Sequence, residues 1–233
     1  MDEKKAIGAL RQVKEVLDNY DVEYWLDYGT LLGAVRDGKI IPWDNDIDLG
    51  MWKKNKEKLP FVLNDLNLKG FKIYCGNSVI TIRKNSFPIS LDMYDFSEGK
   101  AIWEMQLSKK KVGKIIGYLM WVMCAWDYSS VCEEASVVTQ FLSKILFVIR
   151  NTSLKDIVFR VMLRLHQMTT HKIIFKIPCH YFTDLSAIKY YGMEFKVPAP
   201  MEDYLAYRYG KDWKIPKRDY IYYEDDGAIV KNE

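Results

Sequence analysis

The spacing of apolar residues in the first fifty positions predicts a helix, a strand, a tight turn, a second helix and a second strand. The first helix carries apolar side chains at the spacing of one helix face and ends near Asn19. Residues 22–27 then form an apolar run that is typical of a buried strand. Gly29 and Thr30 predict a turn into a short helix that ends before Gly38, and a strand is expected at 46–51.

The next positions continue this layered pattern. A helix is predicted over 58–66, and three runs with strand character follow it. These runs cover 71–75, 79–83 and 88–96. The sequence therefore predicts an α/β (α+β) fold for residues 1–98, with a mixed β-sheet core and flanking helices.

Beyond residue 98 the apolar spacing changes to that of long helices. These helices are predicted at 114–126, 135–149 and 154–168. We interpret residues 99–180 as a largely helical insert or subdomain, and residues 181–233 as a C-terminal segment that packs back on the core. A short helix is expected in that last segment at 201–209, where Gly210 ends it.

Composition is that of an ordinary globular protein. The 233 residues are 49% hydrophobic, and 34 basic against 31 acidic residues give a net charge of +3, which does not indicate a nucleic-acid partner. The four cysteines are too scattered for a disulfide framework. The charged N-terminus lacks the apolar centre of a signal peptide, and the most apolar stretch, 115–126, is too short to span a bilayer. We therefore expect a cytoplasmic protein.

Candidate chemistry is concentrated in the acidic residues around the second strand. Because side chains alternate faces along a strand, three of these residues are predicted to share one side. They are Asp44, Asp46 and Asp48. Such carboxylates repel each other unless a divalent cation lies among them, and hard oxygen ligands suit Mg²⁺ or Mn²⁺. Asp92 is the best candidate for a further carboxylate, because alternation turns it away from its apolar neighbours.

The turn before the second helix is the predicted phosphate site. A helix N-terminus offers unpaired N–H groups, and a glycine lets a phosphate come close to them, as at Gly29 and Thr30. Arg36 and Lys39 are cations near this turn, and Arg83 lies at the end of a later strand. We predict that these residues bind donor phosphates. The alternatives are a solvated loop for Lys39 and an edge charge that deters strand pairing for Arg83.

These motifs resemble the LicD family, which includes the fukutin-like proteins and belongs to the nucleotidyltransferase fold superfamily. Residues 29–36 look like the family's Gly-Thr-Leu-Leu-Gly-x-x-Arg turn. Residues 41–48 resemble its Pro-Trp-Asp-x-Asp-x-Asp signature, and residues 91–93 are similar to its third-carboxylate strand. Residues 204–213 resemble its Tyr-Leu-x-x-x-Tyr-Gly-x-x-Trp close.

The resemblance implies a phosphotransferase that uses a CDP-activated alcohol. It implies transfer of phosphocholine or a polyol phosphate to a hydroxyl of a cell-surface glycan, such as lipopolysaccharide, teichoic acid or capsule, with CMP as the leaving group. Asp46 and Asp48 then hold Mg²⁺, and Asp92 completes the site or acts as a base. Asp44 is either a metal ligand or a residue that orients the loop. The turn at Gly29, with Arg36, then steadies the diphosphate.

Two other classes of function use the same fold. A nucleotidyltransferase would add a nucleoside monophosphate to a small molecule with the same carboxylates, and a non-catalytic scaffold would associate with a membrane or a glycan. The cluster of self-repelling carboxylates argues against the scaffold. Residues 137–176 carry seven basic residues and one acidic residue. This region is either a solvated helix face or a peripheral contact with the anionic inner face of a membrane.

Overall fold

A mixed β-sheet forms the centre of the molecule in the computed structural model, which describes residues 3–76, 78–84, 87–108, 110–124 and 137–230. Among these residues, the strands of the sheet are β1 (Tyr24–Leu26), β2 (Ile47–Trp52), β3 (Lys72–Cys75), β4 (Val79–Lys84), β5 (Phe87–Ser97), β6 (Lys100–Leu107) and β7 (His171–Pro178). They lie in the order β1-β2-β5-β4-β3, with β6 paired to the end of β5 and β7 paired to β6. The β2–β5 pair is parallel, and the other pairs in this sheet are antiparallel.

Helices and one hairpin surround the sheet. The helices are α1 (Glu3–Asn19), α2 (Tyr28–Arg36), α3 (Leu59–Leu68), α4 (Lys111–Cys124), α5 (Val137–Ile149), α6 (Lys155–Thr169), α7 (Met201–Tyr209) and α8 (Tyr222–Asp225). Strands β8 (Ser186–Tyr190) and β9 (Met193–Val197) form the hairpin, and β9 packs against β1. α1 packs on α3, while α5 and α6 both pack on α4. None of the helices in the described ranges has the length and hydrophobicity needed to cross a membrane.

Strand alternation separates an apolar face of β2 and β5 from a polar one. Leu49 of β2 and Leu91 of β5 are fully buried partners in the core that also holds the apolar side of α1. On the other face, the parallel register places Asp48 beside Ser90 and Gly50 beside Asp92. The alternation of side chains along β2 and β5 therefore forms the core on one face of the sheet and places the acidic residues on the other.

The predicted mixed α/β fold is confirmed, and most elements of the first half lie within a few residues of their predicted bounds. The three helices predicted within 99–180 are present, but the two strands at the ends of that segment were not predicted. Residues 100–107 and 171–178 pair with each other as antiparallel strands and extend the sheet, so the helical part lies between them. The predicted helix ends at 125–126 and 135–136 fall outside the described residues. The domain boundaries at 98 and 180 stay a prediction.

Gly50 is the position in β2 where a side chain has no room. A Cβ on Gly50 would collide with the indole of Trp25 and lie 2.9 Å from Oδ2 of Asp27. We expect Gly50→Ala to lower the free energy of unfolding by about 1–3 kcal/mol, because both neighbours are held in a packed interior. Chemical denaturation measures the change. In α1, a Cβ on Gly8 meets nothing within 4 Å, so Gly8→Ala is the matched control and should be neutral or stabilising. Equal stability of the two variants would contradict the packing argument.

Candidate active site

Four aspartates line one cavity of about 870 Å³ beside the polar face of β2 and β5. Asp48 and Asp92 reach it from the two strands, as alternation predicts. Asp44 and Asp46 lie in the segment before β2, which begins at Ile47, so the prediction that they alternate within a strand was wrong. A turn at residues 42–43 precedes them, and they nevertheless line the same cavity.

Ser90 joins the two strand carboxylates. Its Oγ lies 2.8 Å from Oδ1 of Asp48 and 3.0 Å from Oδ2 of Asp92. A serine hydroxyl carries one hydrogen, so it cannot donate to both carboxylates at once. The second hydrogen bond therefore requires a proton on one of the two carboxyl groups. The sequence analysis missed Ser90, although strand alternation places it on the face of Asp92.

Crowding and burial hold protons on these acids in the metal-free protein. Burial raises the pKa of Asp92 to about 8, with further contributions from the charges of Asp27 and Asp46. Burial, followed by the charges of Asp46 and Asp92, raises the pKa of Asp48 well above its ordinary value. Burial also raises the pKa of Asp44 to about 7, and its hydrogen bond with Asp46 adds to the shift. The site is thus short of positive charge.

The carboxylate oxygens are not arranged around a single point as metal ligands are. Within the described ranges, no group of three or more His, Cys, Asp or Glu side chains has the arrangement that holds a metal ion. Their oxygen donors nevertheless suit a hard cation such as Mg²⁺, and the raised pKa values show a need for positive charge. The chemistry of the donor set therefore fits a divalent metal, while the present hydrogen bonds among the acids would have to break to admit one.

The N-terminus of α2 lies beside this acidic cluster. Asp27 caps the helix by accepting the N–H of Tyr28 at 2.8 Å, the capping role expected of an acid before a turn. A Cβ on Gly29 would collide with Oδ2 of Asp44 and lie 3.4 Å from its Cγ. A carboxylate thus occupies the space that the sequence predicts for a phosphate, at the positive end of the helix dipole.

Thr30 has a structural contact in this turn. It is buried, and its Oγ1 accepts the backbone N–H of Asp48 at 2.8 Å, which ties α2 to β2. The cavity lining includes Gly29 but not Thr30. The predicted phosphate contact of Thr30 therefore has no support from its position, and that of Gly29 stays a prediction.

The predicted cations differ in their access to the cavity. Arg36 lines it, but its guanidinium is paired with Asp37 at 3.0 and 2.7 Å. Lys39 and Arg83 are absent from the lining, so the structure does not bring them to the carboxylates. Asp95, an exposed acid at the end of β5, pairs with Lys53 at 2.7 Å and also lies outside this cavity.

Arg218 is a lining cation that the sequence analysis missed. Its guanidinium lies 5.0 Å from the centre of the Trp43 ring, next to the loop that carries Asp44. Its neighbour Lys217 also lines the cavity but is paired with Asp212 at 2.8 Å. Within the described part of the chain, Arg218 makes no ion pair and faces the acidic cavity. No local motif marks this arginine.

A buried polar network supports the floor of the site. The Asp27 carboxylate is fully buried and accepts hydrogen bonds from the hydroxyls of Tyr94 and Tyr204, both at 2.7 Å. Arg208 follows Tyr204 by one helical turn on α7 and binds Asp226 at 2.7 and 2.9 Å. Its guanidinium also lies 3.4 Å from Asp27. These contacts give Tyr204 and Arg208 a structural role beneath the site.

The mixed sheet presents carboxylates from two neighbouring strands, beside the glycine turn of a strand–helix unit. Residues 21–111 match the family model described as LicD/FKTN/FKRP, nucleotidyltransferase domain. This match covers 91 of the 233 residues, so the similarity to the LicD family is established for this segment of the chain. The matched segment contains the four aspartates of the cavity and the helix α2.

Several curated proteins are similar to this chain over parts of their length. An uncharacterized protein of Rickettsia typhi is 31% identical over 170 residues, which are 62% of this chain and 55% of that protein. Another, from Rickettsia prowazekii, is 36% identical over 73 residues, or 30% of this chain and 27% of that protein. Ribitol 5-phosphate transferase FKRP of Homo sapiens is 57% identical over 42 residues, 18% of this chain and 8% of that protein. The chain spans about half the length of the first relative and less of the others.

Two solved structures of one antibiotic-resistance protein show a slight likeness. The solution structure of antibiotic-resistance factor ANT(2'')-Ia covers 71% of this chain and 95% of that chain, with a TM-score of 0.36 and 13% identity. The crystal structure of ANT(2'')-Ia in complex with adenylyl-2''-tobramycin covers 69% and 98%, with a TM-score of 0.33 and 12% identity. Likenesses of this size carry no argument about activity.

The raised pKa of Asp92 predicts that the metal-free protein loses stability as the pH rises. The folded state keeps a proton up to about pH 8, whereas an unfolded aspartate releases it near pH 4. The free energy of unfolding should therefore fall between about pH 4 and pH 8 and then level off. We expect Asp92→Asn to reduce the slope of the unfolding free energy against pH by the contribution of one proton, roughly 1.4 kcal/mol per pH unit. Urea unfolding in the presence of a chelator, from acidic to alkaline pH, measures it.

The matched control for this measurement is Asp95→Asn. Asp95 lies on the same strand but is exposed and paired with Lys53, so its replacement should leave the slope as in the wild type. If the unfolding free energy of Asp92→Asn fell with pH as steeply as that of the wild type, Asp92 would be ionised in the folded protein.

Proposed function

We propose that this chain transfers a phospho-alcohol, such as ribitol phosphate or phosphocholine, from a CDP-activated donor to a hydroxyl of a cell-surface glycan. The observation that carries the proposal is the convergence of Asp44, Asp46, Asp48 and Asp92 in one cavity beside α2. All four belong to the segment that matches the LicD family model. The name of the FKRP relative, a ribitol 5-phosphate transferase, supports an alcohol phosphate as the transferred group.

Asp46 and Asp48 would hold Mg²⁺ or Mn²⁺, with Asp44 and Asp92 as further oxygen ligands. A divalent ion in this place supplies positive charge to the acids and to the phosphates of the donor. Burial and neighbouring carboxylates raise the pKa of Asp44, Asp48 and Asp92, which supports a cation at this place. Arg36 and Arg218 line the same cavity and provide further positive charge toward a diphosphate.

The reaction exchanges one phosphorus–oxygen bond for another. The acceptor hydroxyl oxygen forms a bond to the phosphorus of the phospho-alcohol, and the bond from that phosphorus to the oxygen of CMP breaks. CMP leaves with the bonding electron pair, and the acceptor proton passes to a carboxylate. Asp92 either completes the metal site or accepts this proton, and its position in the cavity wall near Asp48 supports both roles.

The test is CMP release from a panel of CDP-choline, CDP-ribitol and CDP-glycerol with Mg²⁺, and with simple sugars as acceptors. We expect Asp48→Asn and Asp46→Asn to lower the rate at least about 100-fold, because each removes a charge from the proposed metal site. Thermal unfolding should show an unchanged fold. Asp95→Asn is the matched control, since Asp95 lies outside the cavity, and it should keep full activity.

Two outcomes would contradict the proposal. One is full activity of folded Asp48→Asn. The other is release of pyrophosphate from CTP or ATP, without CMP from any CDP-alcohol, which would assign the chain to nucleotidyl transfer. Chelation should abolish CMP release, and added Mg²⁺ should restore it.

Arg218 gives a second prediction for the same assay. Because it faces the cavity and has no carboxylate partner among the described residues, it is available to a donor phosphate. We expect Arg218→Gln to raise the KM for the CDP-alcohol about tenfold, the size of one lost charged hydrogen bond, with a smaller effect on kcat. Lys217→Gln is the adjacent control, because Lys217 is already paired with Asp212. An unchanged KM for Arg218→Gln would remove this arginine from the donor site.

A further inference from the structure

Most of the large apolar side chains that are exposed among the described residues belong to the helical region α4–α6. On α6 they form one stripe along the helix, at positions that recur every three or four residues. The stripe consists of Leu154, Ile157, Val161, Leu165 and Met168. Their exposed fractions run from 47% for Leu165 to 82% for Met168, so the described residues leave this stripe uncovered.

The opposite face of α6 lines the active-site cavity. Phe159, Leu163 and His166 are half-buried and belong to the cavity wall, together with Gly117 and Met120 of α4. One helix thus separates the cavity from the apolar stripe. Any surface that covers the stripe lies within one helix diameter of the cavity.

Cations accompany the apolar stripe. Arg160 and Arg164 are exposed and, on a helical projection, run along its edge. Among the described residues, neither arginine makes an ion pair. α5 has the same character, with exposed Phe141, Ile145 and Val148 on one side and the exposed Lys144 beside them.

The composition of the stripe and its border indicates which kind of surface it binds. An apolar stripe bordered by cations suits the headgroup region of an anionic bilayer, where the apolar side chains enter the interface and the cations meet lipid phosphates. A second copy of the chain fits less well, because residues 137–176 carry a local charge of +6 and self-pairing would bring like charges together.

We infer that the outward stripe of α6, with the exposed apolar side of α5, docks this protein on an anionic membrane surface. The helices lie in the interface and do not cross it, consistent with the absence of a membrane-spanning helix from the described residues. If the proposed transferase function holds, docking would set the cavity next to the bilayer, where a lipid-linked glycan presents its hydroxyl groups. The docking itself does not depend on that function.

The test is cosedimentation of the full chain with vesicles of phosphatidylglycerol and phosphatidylcholine, compared with vesicles of phosphatidylcholine alone. We expect binding to the anionic vesicles only, and a loss of binding as salt screens the charges. Arg160→Gln with Arg164→Gln should lower the partition coefficient roughly 30-fold at low salt, from two lost cation contacts. Ile157→Glu with Val161→Glu should abolish binding.

The matched control places the same change on another exposed apolar site. Phe61→Glu with Leu68→Glu on α3 should leave vesicle binding unchanged, because these side chains are exposed but lie outside the helical region. Thermal unfolding of each variant confirms that it folds. The vesicle-binding measurements contain no CDP-alcohol. A negative result in the transferase assay therefore does not affect the docking proposal.

Three results would overturn the docking proposal. The first is no binding of the folded wild-type chain to anionic vesicles at low salt. The second is equal binding by the α6 variants and the α3 control. The third is a concentration-dependent dimer, seen in sedimentation without lipid, that the Ile157→Glu and Val161→Glu pair dissociates while vesicle binding is absent.

Discussion

The buried carboxylate of Asp27 is the point on which the rest of the site depends. A charge without access to water is tolerated only when hydrogen bonds and an opposite charge surround it, and here Tyr94, Tyr204 and Arg208 supply them. These partners come from β5 and α7, while Asp27 itself caps α2. The network therefore connects the helix beside the acidic cavity to the C-terminal part of the chain. The family segment at 21–111 contains the acids, but the described structure completes their support with residues beyond it.

The acidic cavity works against the stability of the fold that surrounds it. Burial raises the pKa of Asp48 and of Asp92, and Ser90 lies between them with a single hydrogen to donate. A chain selected for stability alone would place apolar or neutral side chains on this face. The departure from that rule is confined to the polar side of two strands, as expected where function opposes packing. The other side of the same strands is ordinary core.

Sequence patterns predicted what depends on neighbouring residues and missed what depends on folding. The period of α1 and the alternation around Asp48 and Asp92 are local, and the structure agrees with them. Strands β6 and β7 were missed because their pairing, with Lys100 opposite Pro178, spans the whole helical region. The same holds for Arg218, which meets Trp43 only in the folded chain. Ser90 was within reach of the alternation argument, since it lies two residues before Asp92.

The parallel pairing of β2 with β5 has a consequence for how the length of this chain can vary. Inserting or deleting one residue within either strand would turn every later side chain to the opposite face. Asp48 or Asp92 would then enter the core, and leucines would enter the cavity. Insertions and deletions are therefore excluded from β2 and β5 and confined to the segments that connect the strands and helices. The acidic cavity therefore limits insertions and deletions as strictly as the hydrophobic core does, although it consists of only a few side chains.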